Sequence, residues 1–295
     1  MQIEDIKITT GINAFQSASF ENHDRTIEYE TSKNPGFSDV ISIVKGLDVI
    51  SEFYDVNAVS ATTPIGICSV SLGKTIEDAV TNVLDANPID FISSTITCTK
   101  EINSDVAKML KDTSIVVAPS FTKNAIEYFE NHNICYVTIK TSLKDYKKYL
   151  SNETIETPLG RLVQTPNLSE LKQDSFKVIS KQKPTVEQIE DAVFAWKVAK
   201  HVQSRAIVVA KDLKTTAIAQ GLQSASVEFA LDYSCDMSKE AILASDLPLT
   251  VHDINVAAQG RISVIIVPNV SKEIIAAADK YGMSLITTGF TNILY

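Results

Sequence analysis

Residues 193–231 constrain the fold most, because they predict a helix, a strand, a turn and a second helix in close succession. Apolar side chains recur at helical spacing at Val193, Trp196, Val198, Ala199 and Val202. Residues 206–210 form a short apolar run rich in β-branched residues, which is typical of a strand buried on both faces. Lys211 and Asp212 then turn the chain.

A similar pattern occurs nearer the start of the chain, at an offset of 149 residues. Val40 falls on Ile189 and Leu47 on Trp196 at this offset (189 minus 40). Residues 115–123 fall without a gap on residues 264–272, and the helix and strand patterns that follow stay in register. One offset shared by separated segments predicts an internal duplication and therefore two similar halves.

Helix and strand patterns alternate in both halves, which predicts an α/β fold with helices on a largely parallel or mixed sheet. We expect residues 1–150 to form an N-terminal half, 151–184 a connecting segment and 185–295 a C-terminal half. A short strand is predicted over 3–9, and a helix over 40–53 with Ser38 or Asp39 as its N-cap.

Composition excludes several classes of partner. The formal net charge of −9 disfavours binding to nucleic acid or to an anionic membrane surface. No apolar run approaches the roughly 18 residues of a membrane span, and no signal peptide is visible at the N-terminus. We therefore expect a cytoplasmic protein with no nucleic-acid or membrane partner.

The four cysteines, Cys68, Cys98, Cys135 and Cys235, are dispersed and form no C-x-x-C pair. Each has apolar or small neighbours, and no pair of histidines accompanies them. This pattern predicts buried free thiols rather than a disulfide framework or a metal site.

A few polar positions are open to two interpretations. Lys123 and Lys272 each begin a predicted helix, where they could attract an anion or remain solvated. Ser245 and Asp246 precede Pro248 and could cap a helix or bind a ligand. His252 could contact a ligand or could be an ordinary residue at the start of a helix.

Motifs in both halves match one known family. The C-terminal part carries FAWKVAK (194–200), Ser204, AIV (206–208), AK (210–211), ASD (244–246) and IIAAAD (274–279) with Gly282. In the N-terminal half, TGINAFQSA (10–18) stands where the family has Y-G-E-N-P-H-Q, TPIG (63–66) where it has N-P-C-G, and VAPSF (117–121) where it has I-A-P-S-F. These segments resemble AICAR transformylase, the formyltransferase of purine synthesis.

The resemblance covers nearly the whole chain and implies two duplicated cytidine-deaminase-like α/β subdomains with mixed sheets and no zinc. It also implies an obligate dimer with composite sites, and we expect no counterpart of the cyclohydrolase domain that precedes this module in the bifunctional enzyme. No cofactor is expected, and 10-formyltetrahydrofolate would be used only by an active protein.

The sequence departs from the family where the family contacts ligands. The family has an adjacent Lys-His pair, thought to handle the proton of the attacking amine, at the positions of Ser60 and Ala61. Neither residue is a base or a cation near neutral pH. At the position of Arg205 the family has an Asn.

The sequence and the resemblance are compatible with three alternative functions. The first is a catalytically degenerate relative that acts as a dimeric scaffold or regulatory partner, as a homodimer or with an intact homologue. The second is an active formyltransferase with relocated groups such as Lys211, Lys123 or His252, and the third is a sensor of a small molecule, nucleotide or folate-like. The candidate ligand-binding residues are Thr62, Thr63, Pro64, Gly66, Arg205, Lys211, Ser245, Asp246 and His252.

Overall fold

The computed structural model describes residues 6–13, 15–21, 26–86, 91–171, 175–221 and 225–294. Its helices are α1 (Phe37–Ile50), α2 (Ile76–Ala86), α3 (Ser104–Met109), α4 (Lys123–Asn131), α5 (Val186–Ala199), α6 (Ala225–Ser234), α7 (Val251–Gln259) and α8 (Lys272–Lys280). Its strands are β1 (Tyr29–Thr31), β2 (Asn57–Thr62), β3 (Ile67–Gly73), β4 (Thr95–Cys98), β5 (Ile115–Ala118), β6 (Cys135–Ile139), β7 (Glu153–Thr157), β8 (Gly160–Gln164), β9 (Lys177–Val178), β10 (Ile207–Lys211), β11 (Lys214–Ala219), β12 (Ile242–Ser245), β13 (Val264–Val267) and β14 (Ser284–Thr287).

Twelve of these strands form one mixed sheet in the order β1-β6-β5-β4-β2-β3-β11-β10-β12-β13-β14-β9. The groups β4-β5-β6 and β12-β13-β14 are parallel, and the other neighbouring strands are antiparallel. Strands β7 and β8 pair separately as an exposed hairpin. The predicted α/β class with a mixed sheet is confirmed.

The two sides of the sheet have corresponding strand orders when they are read outward from its centre. The order is β3-β2-β4-β5-β6-β1 on one side and β11-β10-β12-β13-β14-β9 on the other. Strands β3 and β11 meet in the middle, where Lys214 pairs with Ser71 and the Leu72 amide donates to the Leu213 carbonyl at 2.8 Å. Helices α1 and α5 start at 37 and 186 and end at 50 and 199, so both ends are 149 residues apart. Helices α4 and α8 show the same separation, with starts at 123 and 272 and ends at 131 and 280.

Helices cover both faces of the sheet. Helices α1 and α5 pack on one face in a core that both halves share, which includes Leu47 and Trp196. Helices α2, α3 and α4 cover the opposite face of the N-terminal strands, and α6, α7 and α8 cover that of the C-terminal strands. Because side chains alternate along a strand, consecutive residues of β2 face different cores.

The start of α1 differs from the expectation. Gly36, rather than Ser38 or Asp39, is the N-cap residue, and its amide donates to Asp39 Oδ2 at 2.8 Å. Asp39 therefore acts from the third helical position, where a carboxylate can satisfy a free amide of the first turn. Thr185 is the N-cap of helix α5, with Thr185 Oγ1 accepting from the Gln188 amide.

Three local predictions are wrong. Residues 214–219 form strand β11, so the helix expected directly after the turn at Asp212 begins only at Ala225. Residues 6–9 of the strand expected over 3–9 are not in a strand, and its earlier residues lie outside the described part of the chain. Cys235 is exposed, because it follows α6 at the surface rather than packing in a core.

In the described ranges, the helices are too short or too polar for any of them to cross a membrane.

Candidate functional site

The sheet topology builds two composite edges. Strand β2 runs antiparallel to β10, so the turn after β2 lies at the same edge as the start of β10 and the carboxyl ends of β12, β13 and β14. We call this the first edge. The opposite edge, which we call the second edge, combines the β10–β11 turn with the carboxyl ends of β4, β5 and β6. Each edge thus combines three parallel strands of one half with a turn from the other half.

Ser60 and Ala61 stand at the family's Lys-His positions. Both residues lie in β2, near the middle of the sheet, and both are completely buried. They point to opposite faces of β2, with Ser60 on the α1 side and Ala61 packed in the core under α2 and α3. Within the described part of the chain, Ser60 Oγ has no hydrogen-bond partner. No acidic or basic side chain among the described residues therefore forms a hydrogen bond with this hydroxyl.

Thr62 is also buried, and its hydroxyl serves the backbone. Oγ1 donates to the carbonyl of Ser42 in α1 at 2.8 Å, so this hydroxyl ties β2 to the helix above it. The neighbouring Thr97 on β4 is equally buried, but its Oγ1 finds no partner among the described residues. Thr62 is thus a structural residue at the end of its strand.

The turn that follows β2 reaches the surface of the first edge. The Thr63 amide donates to the Gly66 carbonyl at 2.9 Å, which closes the turn around Pro64. A Cβ built on Gly66 would lie 3.5 Å from Oε1 of Gln220, at the end of β11. The turn of the N-terminal half therefore lies against a strand end of the C-terminal half.

Asp246 lies at the same edge, immediately after β12, and is completely buried. Its Oδ1 accepts from the Ala206 amide at 2.8 Å, and its Oδ2 accepts from the Ser204 hydroxyl. Burial raises the pKa of Asp246, while these hydrogen bonds and the nearby charge of Arg205 act in the opposite direction. One carboxylate oxygen thus holds the backbone at Ala206 and the other holds the side chain of Ser204, on either side of Arg205.

Ser245 also makes a local contact, since its hydroxyl donates to the Leu247 carbonyl at 2.9 Å. The first edge therefore brings together Thr62, Thr63, Pro64, Gly66, Arg205, Ser245 and Asp246.

Lys211 and His252 lie apart from this group. Lys211 is at the second edge, where its Nζ donates to the Lys239 carbonyl at 3.0 Å and lies 3.7 Å from Glu240 Oε2. His252 is on α7, where its Nε2 lies 3.2 Å from Oε1 of Glu228 on α6. The His252–Glu228 pair is exposed between α6 and α7.

The sequence analysis missed a buried ionic cluster between α1 and α5. Glu52 Oε1 accepts from Lys200 Nζ at 2.9 Å and lies 3.2 Å from His201 Nε2, while Oε2 accepts from Lys147 at 3.1 Å. The side chains of Glu52 and Lys200 are only 5% and 6% exposed. The 149-residue offset aligns Glu52 with His201, so the sequence already indicated that these two residues occupy corresponding positions in the two halves.

Electrostatics in this cluster favour the ionised carboxylate. Burial alone would raise the pKa of Glu52, but the hydrogen bond and charge of His201 and the charge of Lys200 outweigh it and hold this pKa well below its ordinary range. Lys197 adds a further contact by donating to the Glu52 carbonyl at 3.1 Å. The cluster therefore ties the end of α1 to the end of α5.

Among the residues that the structure describes, no group of three His, Cys, Asp or Glu side chains is placed to hold a metal ion.

Comparison with known proteins identifies the family. The family model described as "AICARFT/IMPCHase bienzyme" matches residues 2–232, most of the chain. The chain belongs to the AICARFT/IMPCHase family. The resemblance drawn from the sequence motifs is thereby confirmed.

Curated relatives of this chain carry the name "Bifunctional purine biosynthesis protein PurH". One from Acetivibrio thermocellus is 33% identical over 257 residues, which cover 82% of this chain and 49% of the relative. One from Anoxybacillus flavithermus is 29% identical over 266 residues, covering 87% and 51%. The chain thus spans about half the length of these relatives.

A solved structure, reduced HcgD from Methanocaldococcus jannaschii, covers 65% of this AICARFT/IMPCHase chain and 72% of its own. Its TM-score is 0.18 at 10% identity, which is too low to support an argument about the fold.

Proposed function

We propose that this chain is an AICAR-transformylase-like protein of purine biosynthesis that has lost transformylase catalysis and acts as a dimeric scaffold or regulatory partner. The observation that carries this proposal is the burial of Ser60 and Ala61 on opposite faces of β2. The resemblance implies a Lys and a His at these two positions, where the His manages the proton of the attacking amine and the Lys supports it. Here they present no ionisable group.

Loss of that pair should leave little turnover. General acid–base assistance contributes about 10² to 10⁴ in rate, and its loss adds to any loss of substrate contacts. The alternative is an active formyltransferase with relocated groups. Lys211 and Lys123, which begins α4 after β5, both belong to the second edge, whereas His252 pairs with Glu228 between α6 and α7, and the hydrogen bonds of Lys211 and His252 are made within the protein. This placement favours the degenerate protein over the active one.

The proposal includes two deaminase-like subdomains that arose by duplication. The matched ends of α1 and α5 and of α4 and α8 support this history, as does the mirrored strand order. We propose the boundaries 1–150 and 185–295 for the two halves, with 151–184 connecting them. Because the family builds its sites across a dimer, we propose partnership either with a second copy or with an intact homologue, in the cytoplasm.

The decisive experiment is an assay of formyl transfer from 10-formyltetrahydrofolate to AICAR with the purified chain. A bifunctional PurH relative in the same assay is the positive control, and a no-protein reaction sets the background. We expect no formation of product above that background. Turnover that scales with protein concentration would overturn the proposal in favour of the active enzyme.

Partnership requires its own experiment. Native mass spectrometry of the chain purified with and without a co-expressed intact homologue distinguishes a homodimer, a heterodimer and a monomer. A monomer under both conditions would contradict the scaffold role.

A sensor at the first edge is the second candidate, and it is supported by Arg205, a half-buried cation at the same edge as the turn at residues 63–66, where Ile65 is exposed. A ligand that binds only the folded protein raises its unfolding temperature. Thermal-shift titrations with AICAR, IMP and folates therefore test this function, and the Arg205→Ala variant tests the site. A flat response to all of them would remove the sensor.

A further inference from the structure

The N-terminal half contains a cavity of about 340 Å³ that the proposed function does not use. It lies between α1, β1, β6 and residues 146–150, on the face of the sheet that α1 covers. Apolar side chains from the helix and the strand form much of its wall, namely Val40, Ile43, Val44 and Leu47 of α1 with Val137 and Ile139 of β6. Its volume lies within the range of about 300 to 1,000 Å³ of small-molecule pockets.

The corresponding place in the C-terminal half is filled by an indole ring. Leu47 of α1 and Trp196 of α5 are 149 residues apart, the separation that relates the two helices at both ends. Trp196 is 2% exposed and packs edge-to-face on Phe290, with ring centroids 5.9 Å apart. The smaller Leu47 cannot fill the same volume, so the space opens beside it.

The described wall of the cavity is mostly apolar. Among the described residues that line the cavity, Glu21 supplies a carboxylate, and there is no Lys, Arg or His to hold an anion. Tyr146 also lines the cavity, but its hydroxyl already donates to Asp48 Oδ1 at 2.7 Å. Among the described residues that line the cavity, a phosphate or a carboxylate would therefore find no cation to replace its lost hydration.

We propose that this cavity binds an uncharged, planar aromatic molecule of about two fused rings, seated beside Leu47 where Trp196 places its indole in the other half. Burial of apolar area against α1 and β6 drives the binding. The site is separate from the first edge and does not depend on the proposed function.

Indole is a suitable probe, because the indole ring of Trp196 fills the corresponding space in the C-terminal half. Binding to the full chain is measured by isothermal titration and by saturation-transfer NMR. The Leu47→Trp variant fills the cavity from within. The Val44→Trp variant obstructs it from a helix position that is 44% exposed, so it leaves the buried core unchanged.

A matched control adds the same residue elsewhere. Val163 of β8 is 56% exposed and lies outside the cavity, so Val163→Trp introduces a tryptophan without obstructing it. We expect both cavity variants to bind indole at least about tenfold more weakly than the unaltered chain, since even small steric changes in apolar pockets have effects of this size. The control variant should bind like the unaltered chain.

Three results would overturn the proposal. One is no binding of indole by the unaltered chain up to the solubility limit of indole. Another is equal binding by the unaltered chain and both cavity variants. The third is a dimer that dissociates in Val44→Trp but not in Val163→Trp, because a second copy would then be the occupant of this surface.

Discussion

Glu52 and His201 are 149 residues apart and contact each other directly, with Nε2 of the imidazole 3.2 Å from Oε1 of the carboxylate. The same separation relates the ends of α1 and α5, so the two residues occupy corresponding positions in the two halves. Corresponding helix ends therefore meet on one face of the sheet. The acidic residue at one end and the basic residue at the other make this contact attractive.

Removing the Glu52 carboxylate should destabilise the protein strongly. The Glu52→Gln variant keeps the shape of the side chain but leaves Lys200 buried without its counter-charge. Breaking a buried ion pair from one side costs about 3 to 5 kcal/mol. Urea denaturation at pH 7 measures the change, which we expect to be at least about 3 kcal/mol.

Glu170→Gln is the control for this substitution. Glu170 is 63% exposed and lies 3.4 Å from Lys147, so its loss should change the free energy of unfolding by less than about 1 kcal/mol. Equal effects of the two substitutions would show that burial does not strengthen the Glu52 interactions.

The same carboxylate should make stability depend on acid pH. Because the pKa of Glu52 in the folded protein is below its ordinary value of 4.5, its contribution is complete above pH 4.5 and declines as the pH falls below it. The decline approaches about 1.4 kcal/mol per pH unit. Urea denaturation between pH 7 and pH 3 should show the difference in stability between the unaltered chain and Glu52→Gln narrowing below pH 4.5.

Two buried aspartates change the stability of the folded protein with pH in the opposite direction. Burial raises the pKa of Asp48 and Asp246 above 3.8, so the folded protein binds these protons first and gains stability as the pH falls toward 3.8. Both variants of the comparison retain these groups, and the difference between their stabilities isolates Glu52. A constant difference across the whole range would contradict the lowered pKa.

Two buried threonines should respond oppositely to the same substitution. Thr62 and Thr97 are both completely buried, but Thr62 Oγ1 donates to the Ser42 carbonyl, whereas Thr97 Oγ1 has no partner among the described residues. Thr62→Val should lose about 1 kcal/mol, and Thr97→Val should be neutral or gain up to about 1 kcal/mol, because an unpaired buried hydroxyl carries a desolvation cost. Urea denaturation of the two variants under one set of conditions tests the contrast, and similar losses in both would refute it.

Asp246 should prove to be a structural anchor for the backbone at Ala206. The Asp246→Ala variant leaves the buried Ala206 amide without an acceptor, which costs about 1 to 3 kcal/mol. Asp246→Asn keeps an oxygen that can accept from this amide and should lose less. Thermal unfolding and amide hydrogen exchange at Ala206 report the two effects, and an Asp246→Ala variant as stable as the unaltered chain would argue instead for a ligand-binding role.

Apolar periodicity predicted those helices and strands whose buried faces can be recognised from residues close together in the sequence. Helices α4 and α8 and strands β5 and β13 fall where the repeat places them, because their apolar residues lie at regular spacing. Strands β3 and β11 were missed because buried polar residues interrupt their apolar pattern. Ser71 and Thr216 are examples, and each hydroxyl is satisfied by a carbonyl from another element, Ala79 for Ser71 and Val209 for Thr216.

The candidate site was less predictable, because its geometry depends on distant pairings. The sequence indicated Asp246 as a capping or ligand-binding residue but could not indicate that Ser204 and Ala206 occupy both of its oxygens. The ionic cluster around Glu52 likewise joins residues that are 95 and 148 positions away, Lys147 and Lys200. The packing of α1, α5 and the helical turn at residues 146–149 brings these residues together.

The composite edges limit how this chain can be recombined. A chimera that takes one half from a relative would join native loops to a foreign turn at both edges, at Thr63–Gly66 against Gln220 and again at the β10–β11 turn. Surface residues far from the edges could be exchanged freely, whereas each turn and the strand ends beside it would have to be transplanted as a set. The natural unit of exchange in this protein is therefore an edge rather than a half.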